Sequence, residues 1–104
     1  MMQHYANPRK PIHAQNVAAF EKVMSEFPEL ELYMPAPDIA PWHVQASLKT
    51  VFGYNMYLNF WPCALKAQRD GEKALQGVEE VRSMLSRAMH DWLHGNEEEF
   101  QVIE

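Results

Sequence analysis

The chain has 104 residues, a net charge of −5, 47% apolar residues and 22% charged residues. That length holds one hydrophobic core, since each separate core needs roughly 50 residues or more, and the composition excludes disorder over the whole chain. No apolar run approaches the ~18 residues that span a membrane, and the start, MMQHYANPRKPIH, lacks the apolar stretch of a signal peptide. Cys63 is the one cysteine, so an internal disulfide framework and a multi-cysteine zinc site are excluded and a reducing, cytoplasmic setting is expected. Nine basic residues against fourteen acidic ones argue against a protein that coats DNA by charge alone.

Residues 1–12 are polar, contain Pro8 and Pro11, and read as a flexible N-terminal arm. From Ile12 to Phe27 the pattern is helical: Val17, Phe20, Met24 and Phe27 recur at spacings of 3, 4 and 3 and share one face. Pro28 ends that helix, because its ring disfavours the α conformation at the residue before it. Residues 28–41 hold four prolines, which excludes a helix. Within them Leu30, Leu32 and Met34 alternate with Glu29, Glu31 and Tyr33, which predicts a short edge strand from Glu29 to Met34.

The clearest signal lies between Trp42 and Trp61. Trp42, Val44, Ala46 and Leu48 alternate with His43, Gln45, Ser47 and Lys49, and Tyr54, Met56, Leu58 and Phe60 alternate with Asn55, Tyr57, Asn59 and Trp61. Two such runs make a hairpin with one buried face. If the even positions of both strands share the core, Thr50 pairs with Tyr54 or lies close to it and Val51-Phe52-Gly53 forms the loop, with Gly53 at the left-handed position that favours glycine.

Residues 63–70, CALKAQRD, suit both a strand and a helix by composition. The following Asp70-Gly71, a common hairpin dipeptide, tips the reading to a strand with Cys63, Leu65 and Ala67 inward and Lys66 and Gln68 outward. From about Val78 to His94 a second helix is expected, with a stripe of Val78, Val81, Leu85, Met89 and Trp92 and with Ala88 beside it. Glu79 and Glu80 suit its first turn, and Gly95 suits its C-terminal cap. Residues 96–104 form an acidic tail whose Phe100, Val102 and Ile103 either add an edge strand, dock on a partner, or fray.

The sequence thus predicts a single α+β domain over residues 13–95. It is a small antiparallel sheet of two to four strands packed against two amphipathic helices, in the order α-β-β-β-(β)-α. The sheet is small for its length, so a homodimer is expected.

The sheet face away from the core carries the candidate site: Lys49, Asn55, Tyr57, Asn59, Trp61, Lys66 and Gln68, with His43, Gln45 and Ser47 on the same side. Tyrosine and tryptophan are enriched at protein interfaces. They also stack on bases, which keeps open a single-stranded nucleic-acid module using Tyr57 and Trp61. The bland reading is a solvated or helix-covered face. His90 and His94 in HDWLH have the spacing of two metal-binding histidines on one helix, with Asp91 where a zinc protease has glutamate. Only Glu97, Glu98 and Glu99 follow as further ligands, and two solvated histidines at a helix C-terminus account for the pair equally well. A small metal-dependent enzyme built on them is the third alternative. Cys63 reads as an inert thiol; as a nucleophile it would need His43 beside it as a base. The four glycines form no phosphate-binding loop, and no cofactor is expected.

Asn59-Phe60-Trp61-Pro62, followed by Lys66, Gln68, Gly71 and Gly77, resembles a segment of small uncharacterised proteins of tailed phages and prophages. Those proteins carry an Asn-aromatic-aromatic-Pro strand end, a short strand and then a helix. The likeness spans roughly residues 54–90, and Cys63-Ala64-Leu65 departs from the Thr-Thr-Gly-like residues that follow the proline in such proteins. It implies a phage accessory protein, host- or defence-modulating, that acts in the host cytoplasm by binding a protein or a nucleotide-like ligand rather than by catalysis.

Overall fold

A computed structural model describes residues 11–49 and 55–94. The elements run α1 (Pro11–Met24), β1 (Leu32–Tyr33), β2 (Val44–Lys49), β3 (Asn55–Trp61), a single 3-10 turn (Pro62–Ala64), β4 (Lys66–Arg69), β5 (Leu75–Gln76) and α2 (Val78–His94). The strands form one antiparallel sheet in the order β1-β2-β3-β4-β5. The class is the expected α+β, with five strands where two to four were expected.

Both helices lie on one face of the sheet. Val17, Phe20 and Val23 of α1 and Val81, Met84, Leu85, Ala88 and Met89 of α2 share one core with Val44, Ala46, Leu48, Met56, Leu58, Phe60 and Ala67. The Phe20 and Phe60 rings meet at 5.5 Å and 58°, fixing α1 over the middle of the sheet. Arg82 of α2 grips Glu26 through two nitrogens, each at 2.9 Å, which ties the end of the first helical segment to the second helix. At the other end of α2, Trp92 Nε1 donates to the Lys49 carbonyl at 2.9 Å. No helix among the described residues is long and apolar enough to cross a membrane.

The helix α1 starts at Pro11, within the span expected for the arm. Proline suits this first helical position because the N–H it lacks has no partner there anyway. The helix ends at Met24 rather than Phe27: Glu26 and Phe27 donate three residues back, to Val23 and Met24, in a tightened exit that reaches Pro28. β1 covers only two of the six expected residues, because Leu30 turns into the core with its N–H on Phe27 O. Trp42 is not on the core face; it is 54% exposed, since pairing begins at Val44 and the preceding residues follow a turn closed by His43 N–H on Ala40 O.

The hairpin register is the expected one, with Val44 opposite Phe60, Gln45 opposite Asn59, Ser47 opposite Tyr57 and Lys49 opposite Asn55. The strand expected over 63–70 is confined to Lys66–Arg69, because Pro62–Ala64 wind into the 3-10 turn. Leu65 then takes the left-handed conformation at φ 50°, its N–H on Pro62 O, and redirects the chain into β4. Ala67 faces the core as expected. Asp70-Gly71 forms the predicted turn, with Glu72 N–H on Arg69 O at 2.8 Å and Gly71 at φ 85°. β5, which no pattern announced, then pairs with β4. Residues 1–10, the hairpin loop with Thr50 and Tyr54, Gly95 and the acidic tail lie outside the described residues.

Candidate functional site

With both helices on one side, the outward positions of the sheet form a second surface that no described element covers. The register sets them in rows across the strands. One row runs His43, Trp61, Lys66, Gln76, and the next runs Tyr33, Gln45, Asn59, Gln68. Ser47 with Tyr57, and Lys49 with Asn55, complete the face. All seven residues expected at the site therefore share one surface, and Tyr33, His43 and Gln45 join them as working members.

Asn59 stands at the centre and is only 9% exposed. Its Oδ1 accepts from Gln45 Nε2 at 2.8 Å and lies 3.0 Å from His43 Nε2. With the imidazole proton on Nε2, His43 is the second donor to that oxygen. The Tyr33 hydroxyl donates to Gln45 Oε1, so the amides form an oriented chain from β1 to β3. Burial, joined by the nearby Tyr57 phenol, pushes the Tyr33 phenol above its ordinary pKa, which keeps it a proton donor. At the lower end, Asn55 Nδ2 donates to the Tyr57 hydroxyl at 3.3 Å. Gln68 Nε2 donates to Glu72 O at 2.9 Å, which pins the β4 side.

Trp61 is held between two neighbours. The His43 ring stacks on it at 5.0 Å and 12°, and Lys66 Nζ sits 5.1 Å from its ring centroid. His43 leads into β2 and Lys66 starts β4, so the indole is contacted from both flanking strands. A base stacking on Trp61 would compete with these contacts.

The loop between β1 and β2 adds exposed apolar surface beside the His43 end: Trp42 at 54% and Ile39 at 79%. Alternation had assigned Trp42 to the core, and nothing in the sequence marked Ile39. The backbone bonds Ile39 N–H and Ala40 N–H to Ala36 O hold this loop in a turn.

The other candidates lie elsewhere. Cys63 packs against the core side, its carbonyl accepting from Asn16 Nδ2 at 2.8 Å, while the His43 Nε2 is engaged on the outer face. The structure does not bring the two together, and burial pushes the Cys63 thiol above its ordinary value, away from the reactive thiolate. His90 and His94 are exposed on α2 with their rings 4.4 Å apart. Among the described residues no group of three or more His, Cys, Asp or Glu side chains is placed to hold a metal ion. Asp91, the acid of the HDWLH motif, is occupied by Arg69.

Compared with known protein families, curated proteins and solved structures, the chain matches none.

Proposed function

We propose that this chain is a non-enzymatic binding protein that docks a protein partner on its outer sheet face. The observation that carries the reading is the sheet face that no described element covers: polar side chains already locked to one another around Asn59, with aromatic surface at the edge. A surface ordered before contact loses less side-chain entropy on binding. Exposed Trp42 and Ile39 supply the apolar anchors that such interfaces use, and tryptophan is among the residue types that dominate their energetics. Trp61, already stacked on by His43 and contacted by Lys66, lacks the free platform that favours single-stranded nucleic acid. The resemblance to small phage proteins supplies a setting, host or defence modulation, in which a protein of this size works by binding.

The test is affinity capture of the partner with the tagged chain, followed by titration of Tyr57→Ala and Trp42→Ala variants whose circular dichroism matches the parent. Each variant is expected to weaken the complex by about tenfold or more, the weight of one interface anchor. Unchanged affinity in both folded variants overturns the proposal. So does preferential binding of an oligonucleotide with affinity that falls steeply as salt rises.

A further inference from the structure

We propose that the group this face receives is a carboxylate, an aspartate or glutamate side chain of the partner, seated on Asn59 Nδ2 with Lys66 beside it. The inference rests on the docking reading above and names the chemistry that docks. Three observations carry it.

The first is an unmet donor. Asn59 is 9% exposed, and its Oδ1 is engaged by both Gln45 and His43. Its Nδ2 has no acceptor among the described residues. A buried donor without an acceptor is costly, and a partner oxygen removes that cost. The second is direction. Both donors to Oδ1 come from the β2 side, so Nδ2 is turned toward β4. There Gln68 is directly opposite Asn59, and Lys66 is the diagonal neighbour beside Trp61. Diagonal neighbours on one sheet face lie ~7–8 Å apart, within reach of a lysine side chain.

The third is charge. The chain carries −5 overall, yet no residue in any of the five strands is acidic. Lys49 and Lys66 are exposed on the outer face. Arg69, the remaining strand cation, is turned away to Asp91 on α2. Of the carboxylates near the rim, Glu31 is exposed at the β1 edge, three strands from Lys66; Glu72 is paired with Arg69 at 3.9 Å and Arg87 at 3.5 Å; and Asp70 lies beyond the end of β4 on the Tyr57 side. The seat is thus a local cationic, donor-rich spot on an acidic protein. Such a spot is complementary to an acidic segment.

The test follows the Asn59 side-chain NH2 and the Trp61 indole N–H by heteronuclear NMR, as a capped hexaglutamate peptide is titrated against a capped hexaglutamine control. Hexaglutamate is expected to shift both signals saturably, and hexaglutamine to leave them in place. Asn59→Asp keeps an oxygen for Gln45 and His43 but deletes the donor. It and Lys66→Ala are each expected to weaken binding by about tenfold, the weight of one charge-assisted hydrogen bond. Lys22→Ala removes the same charge from the helix layer and is expected to leave binding within about twofold.

Equal shifts with hexaglutamine overturn the proposal, as does an equal loss in Lys22→Ala. Tighter binding of inorganic phosphate or of an oligothymidylate assigns the seat to a phosphate and overturns it. Shifts of the same signals on simple dilution assign it to a second copy of this chain and overturn it too. If the peptide fails while Tyr57→Ala and Trp42→Ala still lose the captured partner, only the carboxylate falls; if those variants bind normally, the docking reading falls with it.

Discussion

Asn59→Ala tests whether the amide chain on the outer face contributes to stability as its geometry requires. The substitution deletes the acceptor of two hydrogen bonds, at 2.8 Å from Gln45 and 3.0 Å from His43. Each is worth a net ~0.5–1.5 kcal/mol, for a total of about 1–3 kcal/mol. Gln45 and His43 are only half-buried, so water takes up their freed donors, and deleting the unmet Nδ2 donor offsets part of what remains. The expected destabilisation is about 1 kcal/mol or less, a fall in Tm of at most about 4–8 °C for a domain of this size. Urea unfolding followed by tryptophan fluorescence measures it directly. The decisive form is a double-mutant cycle with Gln45→Ala. Gln45→Ala alone also loses the Tyr33 contact, but the cycle isolates the Gln45–Asn59 pair, with an expected coupling of about 0.5–1.5 kcal/mol. Additive losses, with no coupling, would refute the reasoning, because the two amides would then contribute independently of each other.

Three further outcomes are expected. Phe20→Leu and Phe60→Leu should each cost about 1–2 kcal/mol, and a cycle between them should show about 0.5–1.5 kcal/mol of coupling, since the two rings are in contact. Glu26 is held below the ordinary glutamate range, first by its hydrogen bond from Arg82 and then by the Arg82 and Lys22 charges. Its contribution to stability is therefore fully present above the ordinary glutamate pKa and is lost as pH falls through the lowered folded value. Carboxyl NMR should find Glu26 titrating low in the parent and back in the ordinary range in Arg82→Gln. For Cys63, burial predicts slow alkylation by iodoacetamide near neutral pH, with a rate still rising after that of N-acetylcysteine has levelled; equal rates would contradict it.

The central hairpin was legible because its alternation and its register constrain each other: a slip of one residue would expose Val44, Ala46, Leu58 and Phe60. The same rule failed at Trp42, where alternation continues one step past the point at which pairing starts. Met84 and Val23 escaped the helical stripes because a stripe drawn as a line undercounts a face that is two residues wide. The bend after Trp61 was illegible for a different reason. Leu65 in a left-handed conformation contradicts its local preference; its burial in the core and its backbone bonds, to Pro62 O and from Gly77 N–H, hold it there. β5 is too short to form a pattern. At the site, parity alone placed the seven expected residues on one surface. The bonds among them depend on cross-strand neighbours, as does the recruitment of Tyr33, which required knowing that β1 pairs with β2 at Gln45.

The strands lie side by side in the order in which they are made, with no crossover between them. Each strand pairs with one already adjacent along the chain, so the loops closed along the way are short and cost little entropy. Topologies rich in such local pairings fold quickly, on the scale of milliseconds. The longest-range links are the helix contacts, such as Arg82 with Glu26, and these close only when both ends of the chain meet over the sheet. Assembly speed is therefore expected to follow the meander, while stability draws on the core that sheet and helices share. Substitutions within the meander should slow refolding, whereas those at the α1–α2 contact should mainly hasten unfolding.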